Sequence, residues 1–279
     1  MKEVEIEREL VNLDVNRGDK PIYRVQDLSV SLGIGNAAHR VLESLTFELK
    51  RGECLSIVGP SGTGKTTLLR TLAGLVPYSG TVEFSGRVLD GPAKGVVLVF
   101  QDYTNALLRW RSVARNVSLG IEGTLDNDER QDRVDEALRI VGLEKYRDYY
   151  PWQLSGGMQQ RVQIARALAI KPEVLLFDEP FGSLDAMTRA ALQDELLSVR
   201  SIFETTCIFI THDIDEAVYI GNRVLVLAGS PATLKFELEV PLDEPRNQIS
   251  TKESSEFLAL RRLVYDDLKL AHDVGKSEN

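Results

Sequence analysis

The stretch GPSGTGKTT, residues 59–67, constrains the fold of this chain more than any other part of the sequence. It follows the apolar run ECLSIVG, which predicts a buried strand, and it precedes KTTLLRTLAGL, which predicts a helix. A glycine-rich loop in this context turns several backbone N–H groups towards phosphate oxygens. The sequence therefore predicts an α/β domain with a phosphate site where the strand passes into the helix.

The loop matches the pattern G-x-x-x-x-G-K-[ST], in which the lysine reaches the β- and γ-phosphates of a nucleotide. The hydroxyl of Thr66 would bind Mg²⁺, a hard cation that prefers oxygen ligands. The residues predicted to hold the nucleotide here are Gly59, Pro60, Ser61, Gly62, Thr63, Gly64, Lys65, Thr66 and Thr67.

The run VLLFDEP supplies a second part of the same site. Asp178 ends a predicted buried strand, where a carboxylate needs a partner to offset its desolvation, and Mg²⁺ with its water shell would be that partner. Adjacent strand residues point to opposite sides, so Glu179 cannot share this role unless the strand has ended. We assign Glu179 as the general base that activates the attacking water. An acidic turn after a strand is the alternative interpretation.

Two further polar residues follow apolar strands, His212 in FITHD and Gln101 in VVLVFQ. The strand before His212 is expected to lie beside the strand before Asp178 in a βαβ unit, which brings both residues to the carboxyl edge of the sheet, where α/β proteins bind ligands. His212 could then hydrogen-bond the γ-phosphate, and Gln101 could contact both Mg²⁺ and the water. A lone histidine in a turn is otherwise more often structural than catalytic.

The run QLSGGMQQR, residues 153–161, is a second phosphate-seeking segment in the same chain. Ser155, Gly156 and Gly157 stand at a predicted helix start, where small residues and free N–H groups favour anions. No lysine accompanies them, although the loop at 59–67 has its own. One chain thus carries a complete phosphate loop and an incomplete one.

Composition limits the classes of partner. Lys and Arg number 33 against 42 Asp and Glu, so the net charge of −9 argues against broad binding to nucleic acid or anionic lipid. No apolar run approaches the roughly 18 residues of a membrane-spanning helix. The N-terminal MKEVEIEREL also lacks the apolar segment of a signal peptide. We therefore expect a cytosolic chain that needs a separate partner to act at a membrane.

The pattern along the chain predicts three parts. A charged tail occupies residues 1–20, an α/β domain residues 21–245, and a C-terminal helix with a polar tail residues 246–279. Within the domain, residues 23–49 alternate as antiparallel strands, and Gly33 to Asn36 is predicted as a turn between them. Helical spacing dominates from about 102 to 170, for example at Val134, Leu138 and Val141, which predicts an inserted helical subdomain.

The order of these motifs resembles the ATP-hydrolysing subunit of an ABC transporter. The matching segments are the Walker A loop at 59–66, the Q-loop glutamine at 101, the signature LSGGMQQR at 154–161, Walker B at 174–179, the D-loop SLD at 183–185 and the H-loop histidine at 212. The resemblance implies a P-loop NTPase fold with a mostly parallel core sheet, an N-terminal antiparallel region and an inserted helical subdomain. It also implies ATP and Mg²⁺ as ligands.

The resemblance implies partners as well. Two copies, identical or related, would sandwich two ATP molecules, each held by the Walker A loop of one chain and the signature of the other. Ser155, Gly156, Gly157, Gln159 and Asp185 would then contact nucleotide. Membrane permease subunits would use the motion, with a solute-binding protein outside, and this subunit would sit on the cytoplasmic face of the inner membrane. DEPFGSLDAMTR and SSEFLALRRLV are similar to the nitrate, sulfonate and taurine importer group.

The sequence departs from the family pattern in two places. Leu32 stands where the family usually has an aromatic residue that stacks on adenine, and Arg109 replaces the proline of an LLPW-like run. Leu107, Leu108, Trp110 and Val113 would still form an apolar groove for a partner helix, or Leu107 and Leu108 would belong to the core.

Other family functions are less well supported by the sequence. A DNA-repair ATPase predicts a long heptad insertion or CxxC zinc pairs, and a translation factor predicts a second Walker A loop, but the chain has none of these. An exporter subunit more often reads DEPTxxLD. A non-hydrolysing homologue is disfavoured because Glu179 and His212 are both present.

Overall fold

The computed structural model describes residues 20–33, 38–100, 106–182, 184–203 and 205–277, which form one mixed sheet flanked by helices. Except for Lys20, the predicted N-terminal tail lies outside these residues, as does most of the predicted turn at 33–36.

The described residues form ten strands and seven α-helices. The strands are β1 (Tyr23–Leu32), β2 (His39–Leu49), β3 (Cys54–Val58), β4 (Ser79–Phe84), β5 (Arg87–Val88), β6 (Val96–Val99), β7 (Val174–Asp178), β8 (Thr206–Ile210), β9 (Arg223–Gly229) and β10 (Ala232–Glu239). The helices are α1 (Lys65–Leu72), α2 (Val113–Val117), α3 (Asn127–Ile140), α4 (Gly156–Ala169), α5 (Ala186–Phe203), α6 (Ile214–Ile220) and α7 (Ser255–Ser277). Short 3₁₀ turns span Ser118–Ile121, Glu144–Tyr146 and Pro151–Gln153.

The strands lie in the order β5-β4-β1-β2-β10-β9-β3-β8-β7-β6. Strands β9, β3, β8, β7 and β6 are parallel to one another, whereas β1, β2, β4 and β5 pair antiparallel. This confirms the predicted fold class. The antiparallel region is not a separate layer, however, because a parallel bridge between Ala232 and Leu42 joins β10 to β2 and makes the sheet continuous.

The central strands are buried on both faces, as expected for a parallel sheet covered by helices. Along β7, Val174 and Leu176 pack with the leucines of α1, while Leu175 and Phe177 pack into the core beneath the helices of the other face. Successive strand side chains alternate between faces, so Asp178 continues the row that faces α1. This parity directs its carboxylate to the helix that follows the phosphate loop.

Helices account for the regular structure between residues 106 and 170 that the structure describes. In α3 and the turn after it, Val134, Leu138 and Val141 are each about 1% exposed, which confirms the predicted apolar stripe. The side chain of Asp126 caps this helix by accepting a hydrogen bond of 2.9 Å from the N–H of Glu129. The stripe packs α3 on α4, the helix that begins with the signature residues.

Helix α7 packs on the core of the α/β domain. Phe257 and Val264 are buried in it, at about 1% and 0% exposed, and they join the apolar cluster that covers one face of the parallel strands. Arg246, just before this helix, is also buried and donates hydrogen bonds to the carbonyls of Val218, Tyr219 and Gly221 at the end of α6. The C-terminal segment is thereby attached to the helix that follows His212.

Candidate active site

The phosphate loop connects β3 to α1, as predicted from its flanking residues. Gly64 has φ +88° at the start of α1, and a Cβ there would lie 2.6 Å from the Val41 side chain. A Cβ on Gly59 would lie 2.4 Å from the carbonyl oxygen of Leu227. A side chain at Gly64 would collide with β2, and one at Gly59 would collide with β9. Glycine at these two positions therefore lets the loop pack closely against both strands.

Lys65 folds back over its own loop. Its Nζ donates hydrogen bonds to the carbonyl oxygens of Gly59, at 2.8 Å, and Pro60, at 3.0 Å. Burial lowers the pKa of the Lys65 ammonium, while the charges of Glu179 and Asp178 oppose that shift. An ammonium has three donors, so one remains beyond these two bonds for a phosphate oxygen.

Asp178 and Thr66 meet at the head of α1. The Thr66 hydroxyl donates to Oδ1 of Asp178 at 3.0 Å, and the carboxylate is 8% exposed. Burial raises the pKa of Asp178, and the hydrogen bond from Thr66 opposes the shift. A hydroxyl and a carboxylate side by side suit Mg²⁺. No cluster of three or more His, Cys, Asp or Glu side chains that could hold a metal occurs in the described residues, so phosphate oxygens and water would complete its shell.

Glu179 and His212 form a pair across the ends of β7 and β8. Oε2 of Glu179 lies 3.0 Å from Nδ1 of His212. Strand β7 ends at Asp178, and Glu179 adopts φ +45°, a conformation uncommon for a residue with a Cβ. Its N–H donates to the carbonyl of Ile210 at 3.0 Å. This turn lets Glu179 face the same cleft as Lys65 although its neighbour Asp178 points towards α1.

A cleft of about 650 Å³ opens over the phosphate loop. Leu32, the residue at the expected adenine position, lines it together with His39, Arg40 and Val41 of β2 and with Gly229 and Ser230 of the β9–β10 turn. None of the last five of these residues was predicted from the sequence. Register places His39 opposite Leu32, but nothing in the local sequence shows that the sheet curls far enough to bring β2 and this turn to the loop.

The signature residues stand at the N-terminus of α4, as predicted. Ser155 is the N-cap and accepts a hydrogen bond of 3.3 Å from the N–H of Met158. A Cβ on Gly157 would lie 2.5 Å from Cγ2 of Thr188, so the signature is packed against the start of α5. The amide of Gln159 donates to the carbonyls of Pro151 and Leu154, which fixes the loop before the helix.

Asp185 caps the helix after the D-loop. Its Oδ1 accepts hydrogen bonds from the N–H groups of Met187 and Thr188 at 3.1 and 3.0 Å. Hydrogen bonds with Thr188 lower the pKa of this carboxylate. The lining of the phosphate-loop cleft includes neither Asp185 nor the signature residues 154–161. Gln101 and Ser183, the remaining predicted motif residues, lie outside the described residues.

The run around Arg109 splits between core and surface. Leu107 is 3% exposed and Val113 0%, so both belong to the core, and Leu108 is partly buried. Leu107 therefore takes the core role that was its alternative, and the predicted groove is wrong for Val113. Trp110 in contrast is 74% exposed. Within the ranges that the structure describes, no helix is long and apolar enough to span a bilayer.

Comparison with known proteins identifies the family of this chain. The family model described as ABC transporter matches residues 42–182, about half of the chain. The chain belongs to the ABC transporter family. As a member of this family it binds and hydrolyses ATP, and the matched range includes the phosphate loop and strand β7.

Several ABC transporter subunits are similar over most of their length. The nitrate import ATP-binding protein NrtD of Synechococcus elongatus is 41% identical over 239 residues, 83% of this chain and 86% of the relative. The aliphatic sulfonates import ATP-binding protein SsuB of Bacillus subtilis is 41% identical over 239 residues, 85% and 91% of the two chains. Among solved structures, the ATP-binding cassette MJ0796, as a dimer with ADP and Pi, has a TM-score of 0.69 at 28% identity, covering 79% of this chain and 100% of that one.

Replacing Lys65 by Ala should weaken ATP binding by at least about 100-fold, because charge-assisted hydrogen bonds to phosphate are among the strongest that a side chain makes. The measurement is the dissociation constant of a fluorescent ATP analogue by titration. Lys235→Ala, at an exposed position of β10, is the matched control and should bind as the unmodified chain does. Unchanged binding by Lys65→Ala would show that the loop does not hold the phosphates.

Proposed function

We propose that this chain is the ATP-hydrolysing motor of an importer that takes up a small oxyanion of the nitrate or sulfonate kind, working as a dimer beneath a membrane permease. The observation that carries the hydrolytic part is that two side-chain pairs stand at hydrogen-bond distance, Thr66 with Asp178 and Glu179 with His212, each at 3.0 Å. Thr66 and Glu179 both line the cleft over the phosphate loop. The importer part is supported by the relatives, which are named for nitrate and for aliphatic sulfonates.

ATP binding would use the backbone and one cation. The N–H groups of the loop and of the first turn of α1 face the phosphates, and the helix N-terminus adds a favourable dipole. Lys65 exchanges part of its bonding to the loop carbonyls for the β- and γ-phosphates. The purine would lie in the outer part of the cleft against Leu32, whose apolar contact replaces a stacking ring.

Hydrolysis would use positioning and charge stabilisation, with little covalent chemistry. Glu179 accepts a proton from the water that attacks the γ-phosphorus, and His212 donates a hydrogen bond to a γ-phosphate oxygen. The pair already stands at hydrogen-bond distance, so His212 also orients the carboxylate. Mg²⁺ bound at Thr66 and Asp178, with Gln101 as the further predicted ligand, would supply charge neutralisation for the phosphates.

A second copy would complete each site. The lining of the cleft contains no residue of the signature, although the signature lies at the free N-terminus of a 14-residue helix that suits an anion. Ser155 and the N–H of Gly157 would meet the γ-phosphate of ATP bound at Lys65 of the other chain. A head-to-tail dimer explains why the incomplete segment has no lysine of its own. The similar cassette MJ0796 has been solved as a dimer.

The permease would dock on the helical subdomain at Trp110. This indole is 74% exposed and neighbours the buried Leu107 and Val113, so it presents a large apolar surface on a fixed base. Aromatic residues in such positions commonly anchor protein interfaces. Binding there would place the subunit at the cytoplasmic face of the inner membrane. A solute-binding protein outside would deliver the cargo, and this chain would not contact it.

Glu179→Gln should reduce steady-state ATP hydrolysis by about 100-fold or more, because the amide cannot accept the water proton. The same change should leave ATP binding intact and accumulate an ATP-bound dimer, which size-exclusion chromatography with ATP would detect. Asp215→Asn, an exposed carboxylate near His212, serves as the control and should hydrolyse ATP normally. Unchanged hydrolysis by Glu179→Gln would exclude this residue as the general base.

Mixing two inactive variants tests whether the sites are shared between chains. Lys65→Ala inactivates the phosphate loop, which is one half of a site. Ser155→Arg should block the signature, the other half, while the chain that carries this change still binds ATP at its own phosphate loop. A mixed dimer keeps one intact composite site, so an equimolar mixture should recover about a quarter of the unmixed activity of the natural chain. Phosphate release is the measurement. If the mixture is no more active than its components, each site is built within one chain.

Trp110→Ala should weaken association with the permease while sparing basal ATP hydrolysis, because the indole is exposed and supplies interface area rather than core packing. Co-purification with the permease in detergent, after expression of the neighbouring transporter genes, measures the first effect. Val88→Ala, also exposed but at the far edge of the sheet on β5, is the control. Loss of hydrolysis with normal association would contradict this placement.

A further inference from the structure

His212 is held in place by its neighbours rather than by burial. Its side chain is 59% exposed, whereas Thr211 before it is 1% exposed. The N–H of Thr211 donates to the carbonyl of Ile57 at 3.2 Å, and Asp213 after it caps α6. An exposed imidazole keeps a fixed direction only if the backbone on both sides is fixed. The residues that hold Thr211 and Asp213 therefore control where His212 points.

Glu216 holds the turn formed by Thr211, His212 and Asp213. It lies on α6 and is 5% exposed, and its Oε2 accepts a hydrogen bond of 2.6 Å from the hydroxyl of Thr211. That hydroxyl accepts in turn from the N–H of Asp213 at 3.0 Å. One carboxylate thus connects to the residues on both sides of His212. A small cavity lined by Glu179, His212 and Glu216, among others, lies between them.

A buried carboxylate is costly unless donors surround it. Besides Thr211, Oε1 of Glu216 accepts from the amide of Gln193 at 3.1 Å and lies 3.7 Å from Nε of Arg189. Arg189 is also 3.7 Å from Asp213 and donates to the carbonyl of Leu184 in the D-loop region. The proposed function uses none of these side chains, yet all of them converge on the turn that carries His212.

The contacts continue to the C-terminal segment. Gln193 on α5 is 1% exposed, and its Oε1 accepts a hydrogen bond of 3.1 Å from the amide of Gln248. Gln248 also donates to Asp194 at 2.9 Å, and its own Oε1 accepts from Nζ of Lys252 at 2.6 Å. A continuous row of hydrogen bonds therefore runs from the residues before α7 to the turn at His212.

We propose that Glu216 is a positioning residue that holds the Thr211–Asp213 turn, and with it His212, in reach of Glu179 and the γ-phosphate, and that Gln193 and Gln248 hold Glu216 in turn. This inference rests on the proposed function, because it takes the Glu179–His212 pair as the hydrolytic centre. On this proposal, the segment before α7 stabilises the turn that carries His212, through Gln248 and Gln193. Glu216 would act through this turn and not on the nucleotide directly.

The first test uses Glu216→Ala and Thr211→Val, with Thr211→Ser as the conservative variant. Misplacing His212 should lower kcat by about 10- to 100-fold, since small displacements of reacting groups cost that much. The KM and the ATP dissociation constant should stay within about twofold, because the phosphate loop is untouched. Thr211→Ser keeps the hydroxyl and should retain nearly full kcat. Asp215→Ala, an exposed carboxylate on the same helix, is the control.

A double-mutant cycle separates positioning from general stabilisation. If Glu216 acts through His212, Glu216→Ala should lower kcat by less than about twofold further in a His212→Ala background. Multiplying effects would overturn the proposal, as would a loss of ATP affinity equal to the loss of kcat. Thermal unfolding of each variant identifies any that fail to fold, and Thr211→Val then carries the test because it nearly preserves volume.

Gln248→Ala tests the C-terminal part. We expect a fall in kcat in the same direction but smaller, about 2- to 10-fold, with unchanged ATP affinity. An unchanged kcat would overturn the proposed support by this segment. Glu179→Gln separates failure of the proposed function from failure of the positioning role: full hydrolysis by that variant would remove the proposed general base. An inactive Glu179→Gln with a normal Glu216→Ala would refute the positioning role alone.

Discussion

The parallel pairing of β3, β8 and β7 is the constraint on which the rest of the site depends. It brings the ends of three strands to one edge of the sheet, and hydrogen bonds continue the pairing one residue further, from Thr211 to Ile57 and from Glu179 to Ile210. The phosphate loop and His212 follow the ends of β3 and β8, and Asp178 is the last residue of β7. Without that edge, the phosphate loop would not meet Asp178 and His212, which follow it by more than 100 residues of sequence.

The turn after β7 shows how the sheet supports an unfavourable local conformation. Glu179 has φ +45°, and a non-glycine residue in this region costs on the order of 1–3 kcal/mol. The adjacent Asp178 is a carboxylate whose pKa is raised by burial. Neither feature stabilises the chain by itself. Both persist because the hydrogen bond to Ile210 and the apolar packing of β7 fix the backbone on either side of the turn. As a result, the adjacent carboxylates of Asp178 and Glu179 point in different directions.

Much of this arrangement could be predicted from local sequence because the motifs carry their own context. The residues on either side of the phosphate loop predict its strand and its helix. The alternation of side chains along VLLFD directs Asp178 towards α1. Side chains that meet through packing of distant elements could not be predicted in the same way: Gln193 and Gln248 are 55 residues apart, and His39 reaches the cleft only because the sheet curls. The apolar pattern around Leu107 likewise did not distinguish core residues from surface residues, because the buried Leu107 and the exposed Trp110 are both apolar.

The division of the phosphate-binding groups has a mechanical consequence. Each chain has Lys65 at the N-terminus of α1. The N-terminus of α4, at Ser155, has no lysine and lies in a different part of the chain. In the proposed dimer neither helix N-terminus would bind the γ-phosphate fully until two chains approach. The energy of binding ATP would then draw the chains together, and cleavage of the γ-phosphate would remove the group that holds them. Gly157, whose Cβ would lie 2.5 Å from Thr188, joins the signature to the start of α5, the helix that also carries Arg189 and Gln193. In the proposed dimer, movement of the signature would therefore reach the turn of His212 through α5, and closure of one site would be coupled to the geometry of the other.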